Sequence, residues 1–283
     1  MILCKELNKE FNSKQEMFTA LKESKSDIIS FKKAQIYKSF EKGISVKSKP
    51  IDVYKFSEVN KEDFKDENYY YIVVNTTKIL DSHRDLHIDG IWNRTVKNQN
   101  RRNYLLDSHV MHMTTTIARK ENVEILLSEI PFSLIGSSLK GNTQALIYKI
   151  PKDKVINTLA KEWLDSGDDI EASVRMQYVQ IELAMDSESP EDEFYKNNFD
   201  TYINQIANKA KYEEDEGEIS YFWVVKEAKN IGESSLVLQG SNSETGQIII
   251  DSSADTQSKE ALEKSRQEEV KQYIINKNLN KDV

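Results

Sequence analysis

The chain has little cysteine, proline or glycine: one, four and nine residues among 283. A lone thiol, Cys4, can neither close an intrachain disulfide nor supply a cysteine-rich zinc site, so nothing here requires an oxidising compartment. The glycines are dispersed and none builds the Gly-rich turn between strand and helix that cradles a phosphate or a dinucleotide. Long apolar runs are missing too. The start, Met-Ile-Leu-Cys-Lys-Glu-Leu, becomes charged too early for a signal peptide, and no later stretch approaches the length of a membrane span. The expected location is the cytoplasm of the cell that makes the protein.

Acids outnumber bases overall, 47 to 39, but not locally. A net charge of -8 argues against a general nucleic-acid binder, whose affinity comes from clustered Lys and Arg. Residues 1–50 carry 11 Lys against 6 acids, a local +5, whereas residues 186–218 carry 11 acids against 3 Lys, a local -8. The two segments are complementary and could attract each other or separate partners. With 38% hydrophobic and 30% charged residues, the chain is long enough to bury a core beneath a polar surface.

Three parts are expected: a Lys-rich N-terminal extension over 1–66, a main domain over 67–245 with an acidic insertion at 186–218, and a polar linker with a charged helix over 246–283. The main domain opens on Tyr69-Tyr-Tyr-Ile-Val-Val-Asn75, aromatic and β-branched as a strand buried on both faces should be. Leu80 to Gly90 reads as loop, and Ile91 to Val96 as the start of a short helix. Strands are expected at Tyr104–Leu106, Thr114–Arg119, Val123–Ile130, Gln144–Ile150, Ile219–Val225 and Ser235–Leu238, which makes the fold α+β and mainly β. In the insertion, Phe199, Ile203, Ile206 and Ala210 approximate one helical face.

A helix is also expected from Pro151 to Gly167. Proline suits a first turn, Val155, Leu159, Trp163 and Ile156, Ala160, Leu164 form adjoining i, i+4 rows, and Gly167 supplies a stop. The following strand alternates Ile170, Ala172, Val174, Met176 and Tyr178 inward against Glu171, Ser173, Arg175 and Gln177 on an exposed polar face.

Ser173 and His109 are the residues that suggest chemistry. A serine hydroxyl becomes a nucleophile when a base takes its proton, and the base works best when a third group fixes its tautomer. His109, at the end of Tyr104-Leu-Leu-Asp-Ser-His109, is the candidate base. The four histidines, His83, His87, His109 and His112, also allow a metal reading, since His83 and His87 have i, i+4 spacing. That pair lacks the glutamate a metalloprotease places after its first histidine. The acidic run Glu213-Glu-Asp-Glu216 lacks the calcium-loop pattern and reads as solvated surface.

Taken in order, residues 68–245 resemble the prohead (head maturation) proteases of tailed phages, relatives of the herpesvirus assemblins. The resemblance rests on Tyr71 to Thr77 running into Asp81-Ser-His-Arg-Asp85 and Asp89-Gly-Ile-Trp92, on Leu105-Leu-Asp-Ser-His109, on Ser166-Gly167 with Glu171-Ala-Ser-Val174, and on Glu233-Ser-Ser-Leu-Val237. It implies an antiparallel β-barrel wrapped by helices and a serine endopeptidase without cofactors. Such an enzyme cleaves phage scaffold and major capsid proteins, and can cleave itself, inside the assembling prohead in the host cytoplasm. Ser173 would be the nucleophile, His109 the base and Glu233 the third member, with Asp107 and Glu171 as alternatives for that last role. Self-cleavage is expected in 38–66 and 243–258. Val174-Arg-Met176 replaces the small residue, Gly and aromatic that usually follow the serine, so the oxyanion donors would differ. A non-enzymatic virion or assembly protein on the same fold is the alternative, and a metal-dependent hydrolase the third reading.

Overall fold

The computed structural model describes residues 2–34, 64 and 66–250. The chain is a mixed α+β fold in which sheet dominates. Its elements are β1 (Ile2–Cys4), β2 (Lys9–Phe11), α1 (Lys14–Glu23), α2 (Lys25–Ala34), β3 (Tyr69–Thr76), β4 (Asp85–His87), α3 (Asn93–Gln99), β5 (Tyr104–Asp107), β6 (Thr116–Ala118), β7 (Glu124–Pro131), β8 (Asn142–Pro151), α4 (Thr158–Ser166), β9 (Glu171–Met185), α5 (Glu193–Tyr202), α6 (Lys209–Glu216), β10 (Tyr221–Val237) and β11 (Gly246–Ile248). The charged C-terminal helix and most of the stretches expected to be self-cleaved lie outside the described residues.

Two sheets enclose the main core. One runs β11-β3-β8-β7, and the other runs β4-β10-β5-β6 with β9 also on β10. Among the described residues no strand ladder joins them into a closed barrel. β3 shows why a run of apolar residues needs two covered faces: Tyr70, Ile72 and Val74 enter the main core, while Tyr71 and Val73 enter a second cluster with Ile130, Leu134 and Ile147.

Several expected boundaries move. Pro151 ends β8, where it pairs with Tyr69, and the helix starts seven residues later at Thr158, because the Asn157 side chain accepts from the Ala160 amide at 3.1 Å. Gly167 ends it as expected, in the left-handed conformation at φ 65. Leu80 to Gly90 is not all loop: Leu86 and His87 pair with Val224 and Val225, and Asp85, Leu86 and His87 are buried. The two strands expected at 219–225 and 235–238 are one long strand, β10, made continuous by bulges between Val225 and Ala228 and between Asn230 and Ser234.

Residues 2–34 of the Lys-rich N-terminal segment belong to the same body. Cys4, Phe11, Met17, Phe18, Leu21 and Ile28 sit in the main core. The acidic insertion is also more than a solvated excursion. Phe199, Ile203 and Ile206 are buried as the sequence suggests, but they span the end of α5 and the turn after it, and Tyr212 replaces Ala210 as the next buried position. Together they cover Phe222 and Val224 on the outer face of β10. The two charged segments meet through Lys5–Glu216 at 2.8 Å, Lys14–Glu218 at 2.7 Å and Lys22–Asp192 at 2.6 Å.

Candidate active site

The second bulge of β10 positions the site. It resets the strand so that Glu233, Ser234, Ser235 and Leu236 lie beside Tyr104 to Asp107 of β5, with Ser235 directly opposite Ser173 of β9 on the other edge. Side chains two apart on a strand share a face, and directly opposed residues share one as well. Glu233, Ser235 and Ser173 are therefore on one side of the sheet. The Cβ atoms of Ser173 and Ser235 are expected about 5 Å apart in such a pair.

His109 reaches that face through a tight turn after β5. Ser108 and His109 both have positive φ, at 52 and 57, a conformation that costs non-glycine residues and persists where surrounding bonds impose it. Those bonds are present: the Ser108 amide donates to the Leu236 carbonyl at 3.0 Å, and the His109 amide donates to Ser235 Oγ at 2.9 Å. The imidazole is thereby brought against Glu233, with Nδ1 2.9 Å from Oε1 and 3.2 Å from Oε2. Ser235 Oγ donates in turn to Glu233 Oε2 at 3.0 Å.

This arrangement fixes the ring chemically. A carboxylate only accepts, so Nδ1 carries the proton it donates to Glu233 and Nε2 is left with its lone pair when the ring is neutral. Nε2 is buried and has no hydrogen-bond partner. An unsatisfied buried ring nitrogen is costly unless a reacting group uses it. Glu233 is fully buried and His109 is nearly so.

Of the sequence candidates, His109 and Glu233 are hydrogen-bonded to each other, and Ser173 lies opposite Ser235 on the same face without a hydrogen bond to His109 Nε2. Ser173 is not on an exposed face: 7% of its surface is accessible, because β9 lies beside β10 and the His109 turn is tied to the residue opposite. Asp107 is exposed and accepts from the Ser108 hydroxyl, and Glu171 accepts from the Gly240 amide at 2.6 Å. Neither is bonded to the imidazole, so Glu233 takes that position. Sequence reasoning missed Ser235, which holds both the His109 backbone and the Glu233 carboxylate. Its spacing of two from Glu233 on a strand was the available signal.

Arg175 follows Ser173 by two along β9, on the same face, and its buried Nε has no partner. It is a donor near the serine that the sequence pattern, lacking glycine there, does not offer through the backbone.

The other histidines are used elsewhere. His87 is buried between Asn75 Nδ2 at 3.3 Å and the Tyr178 hydroxyl at 3.2 Å, and burial pushes its pKa down to about 4. Tyr178 donates to Asp85 Oδ2 at 2.9 Å, so Nε2 of His87 is the nitrogen with the proton and Nδ1 accepts from Asn75. His83 is exposed, and His112 caps the short 3-10 turn at Met113–Thr115. Among the described residues no three His, Cys, Asp or Glu side chains are grouped to hold a metal.

No family model, curated protein or solved structure matches this chain.

Proposed function

We propose that the chain is a serine endopeptidase of the prohead maturation type, with Ser173 as nucleophile, His109 as general base and Glu233 as the group that orients it. The observation that carries the proposal is the buried 2.9 Å contact between His109 Nδ1 and Glu233 Oε1 on the face shared by Ser173. Two residues 124 positions apart are held in hydrogen-bond geometry by a bulge, a strained turn and a bridging serine. That is more than packing requires.

The chemistry follows from the ring's tautomer. His109 Nε2 takes the Ser173 Oγ proton as the oxygen attacks a peptide carbonyl, and Glu233 stabilises the imidazolium that results. The proton passes to the leaving amine as the C–N bond breaks, and water then hydrolyses the acyl-serine by the same route in reverse. Arg175 is the side chain available to the developing oxyanion. On this reading the two packed sheets are the faces of an opened assemblin-like barrel, and the substrates are phage scaffold and major capsid proteins, with self-cleavage inside the prohead in the host cytoplasm.

The unpartnered Nε2 also motivates the second reading, an assembly protein that keeps the fold without catalysis. A fluorophosphonate separates the two. Incubation of the purified chain should give a covalent adduct that mass spectrometry places on Ser173, and that disappears in a His109→Ala variant. A chain that stays unlabelled at Ser173 under conditions that label a control serine protease would favour the assembly protein.

Ser235→Ala tests the bridge. It leaves the buried His109 amide and one Glu233 oxygen each short of a partner, which costs about 1–3 kcal/mol per group and loosens the imidazole. The expected result is a drop in kcat of about 10–100-fold with KM little changed, measured on a peptide substrate. A fall in stability with kcat intact would make the bridge merely structural.

A further inference from the structure

Arg84 is a buried cation with no ion-pair partner among the described residues. Its residue is 6% accessible. It donates one long hydrogen bond, from Nη1 to the Tyr221 carbonyl at 3.5 Å, and its buried Nε has no partner. The planar group lies 4.6 Å from the centroid of the Tyr221 ring and 6.0 Å from that of Tyr212. Arg84 also has φ 58, so the backbone is strained where the side chain is presented.

Asp81 and Glu6 are engaged with other groups. Asp81 Oδ1 accepts from the amides of His83 and Asp85, and Glu6 accepts from the Tyr221 hydroxyl at 2.6 Å and Trp223 Nε1 at 2.7 Å. A buried charge is normally paired, because desolvation without compensation is expensive. Arg84 instead lines a cleft of about 290 Å³ between β1 and the end of the acidic insertion. Lys5, Lys14, Glu216, Glu218 and Ser220 line it as well, and each glutamate is already bridged to a lysine.

We infer that this cleft binds a small oxyanion, a phosphate or an aliphatic carboxylate, with the guanidinium of Arg84 as its anchor and Lys5 and Lys14 beside it. The stacked guanidinium offers a pre-oriented planar fork, the geometry that matches two coplanar acceptor oxygens. Three cationic groups against two paired carboxylates leave the lining one positive charge in excess. The site is separate from the proposed active site. Ser220 precedes β10 and Glu233 lies 13 residues further on, roughly 40 Å of strand.

The test uses the full chain at constant ionic strength, with inorganic phosphate in one arm and succinate in the other. Thermal unfolding and isothermal titration are the readouts. Either anion should raise Tm in a saturable way, since a ligand that binds only the native state stabilises it. The arm that responds identifies the source of the oxygens. Arg84→Lys keeps the charge but loses the fork and should weaken binding by about tenfold or more. Arg84→Met should abolish it, and if that variant does not fold, Arg84→Lys decides. No response to either anion in the unmodified chain, or the same affinity in the Arg84→Lys variant, overturns the inference.

Discussion

Replacing Ser173 by alanine is expected to abolish peptide hydrolysis, lowering kcat by about 10⁶-fold if the three residues act as a unit. The reasoning is local. Without Oγ, His109 has no proton to accept, and the serine hydroxyl bonded to its amide cannot substitute. Ser235 Oγ is fully buried, accepts from the His109 amide and donates to Glu233 Oε2, so it faces the backbone and the carboxylate instead of Nε2. Removing one oxygen from a 7%-accessible strand residue should cost about 1–3 kcal/mol of stability, well short of unfolding a domain of this size. The variant should therefore fold, bind and fail to cut. Coexpression with candidate scaffold and capsid proteins, followed on gels, measures this. Undiminished processing by the Ser173→Ala chain removes the protease reading.

What could be read in the sequence depended on whether the signal was local. β3 announced itself, since Tyr69 to Asn75 has no polar face to give to solvent. The end of α4 at Gly167 was legible for the same reason. Its start was not, because Pro151 fits a strand end as well as a first turn and only the pairing with Tyr69 decides. The meeting of His109 with Glu233 depends on a bulge near Gly232 and on a turn with two positive φ values, neither of which has a composition signature in Leu105 to His109. His109 is suggested by its place at a strand end, whereas Glu233 is suggested by the resemblance alone. The complementary charge of the two segments was visible, and the structure brings them together.

Least legible was the fate of Leu80 to Gly90. A stretch with Asp81, Arg84, Asp85 and Asp89 reads as polar loop, because four charges so close are normally solvated. Here Asp81 and Asp85 are buried, and for the Asp85 carboxylate the partner lies 53 residues upstream. Lys32, on α2, is itself 5% accessible and places Nζ 2.6 Å from Asp85 Oδ1, 3.1 Å from the His83 carbonyl and 3.9 Å from Glu6 Oε1. A single lysine on a helix gives no hint of this by itself.

Lys32→Met is accordingly expected to destabilise the chain by about 3–5 kcal/mol at pH 8, the cost of leaving buried carboxylates without their cation. The loss should shrink on acidification, and the sign follows from the groups that face Lys32. The Asp85 pKa is raised to about 7, by burial first and by the Asp81 charge, with Lys32 opposing both; that of Asp81 is raised to about 6, by burial against backbone hydrogen bonds and Lys32. Burial works against the charge on Lys32 as well, but Asp85 and Glu6 outweigh it and hold its pKa above the ordinary value. A carboxyl whose folded pKa exceeds its unfolded one binds more protons in the native state, so its contribution is fully present below about pH 4 and is lost as pH rises through about 6 to 7. Without Lys32 the carboxyls rise further and the native state becomes still more proton-hungry. Urea unfolding of both chains at pH 8 and pH 5 should therefore show a gap that narrows at the lower pH. A gap independent of pH would mean that Lys32 contributes through its packed methylenes and its hydrogen bond to the His83 carbonyl, and that the buried carboxyls are not what it neutralises.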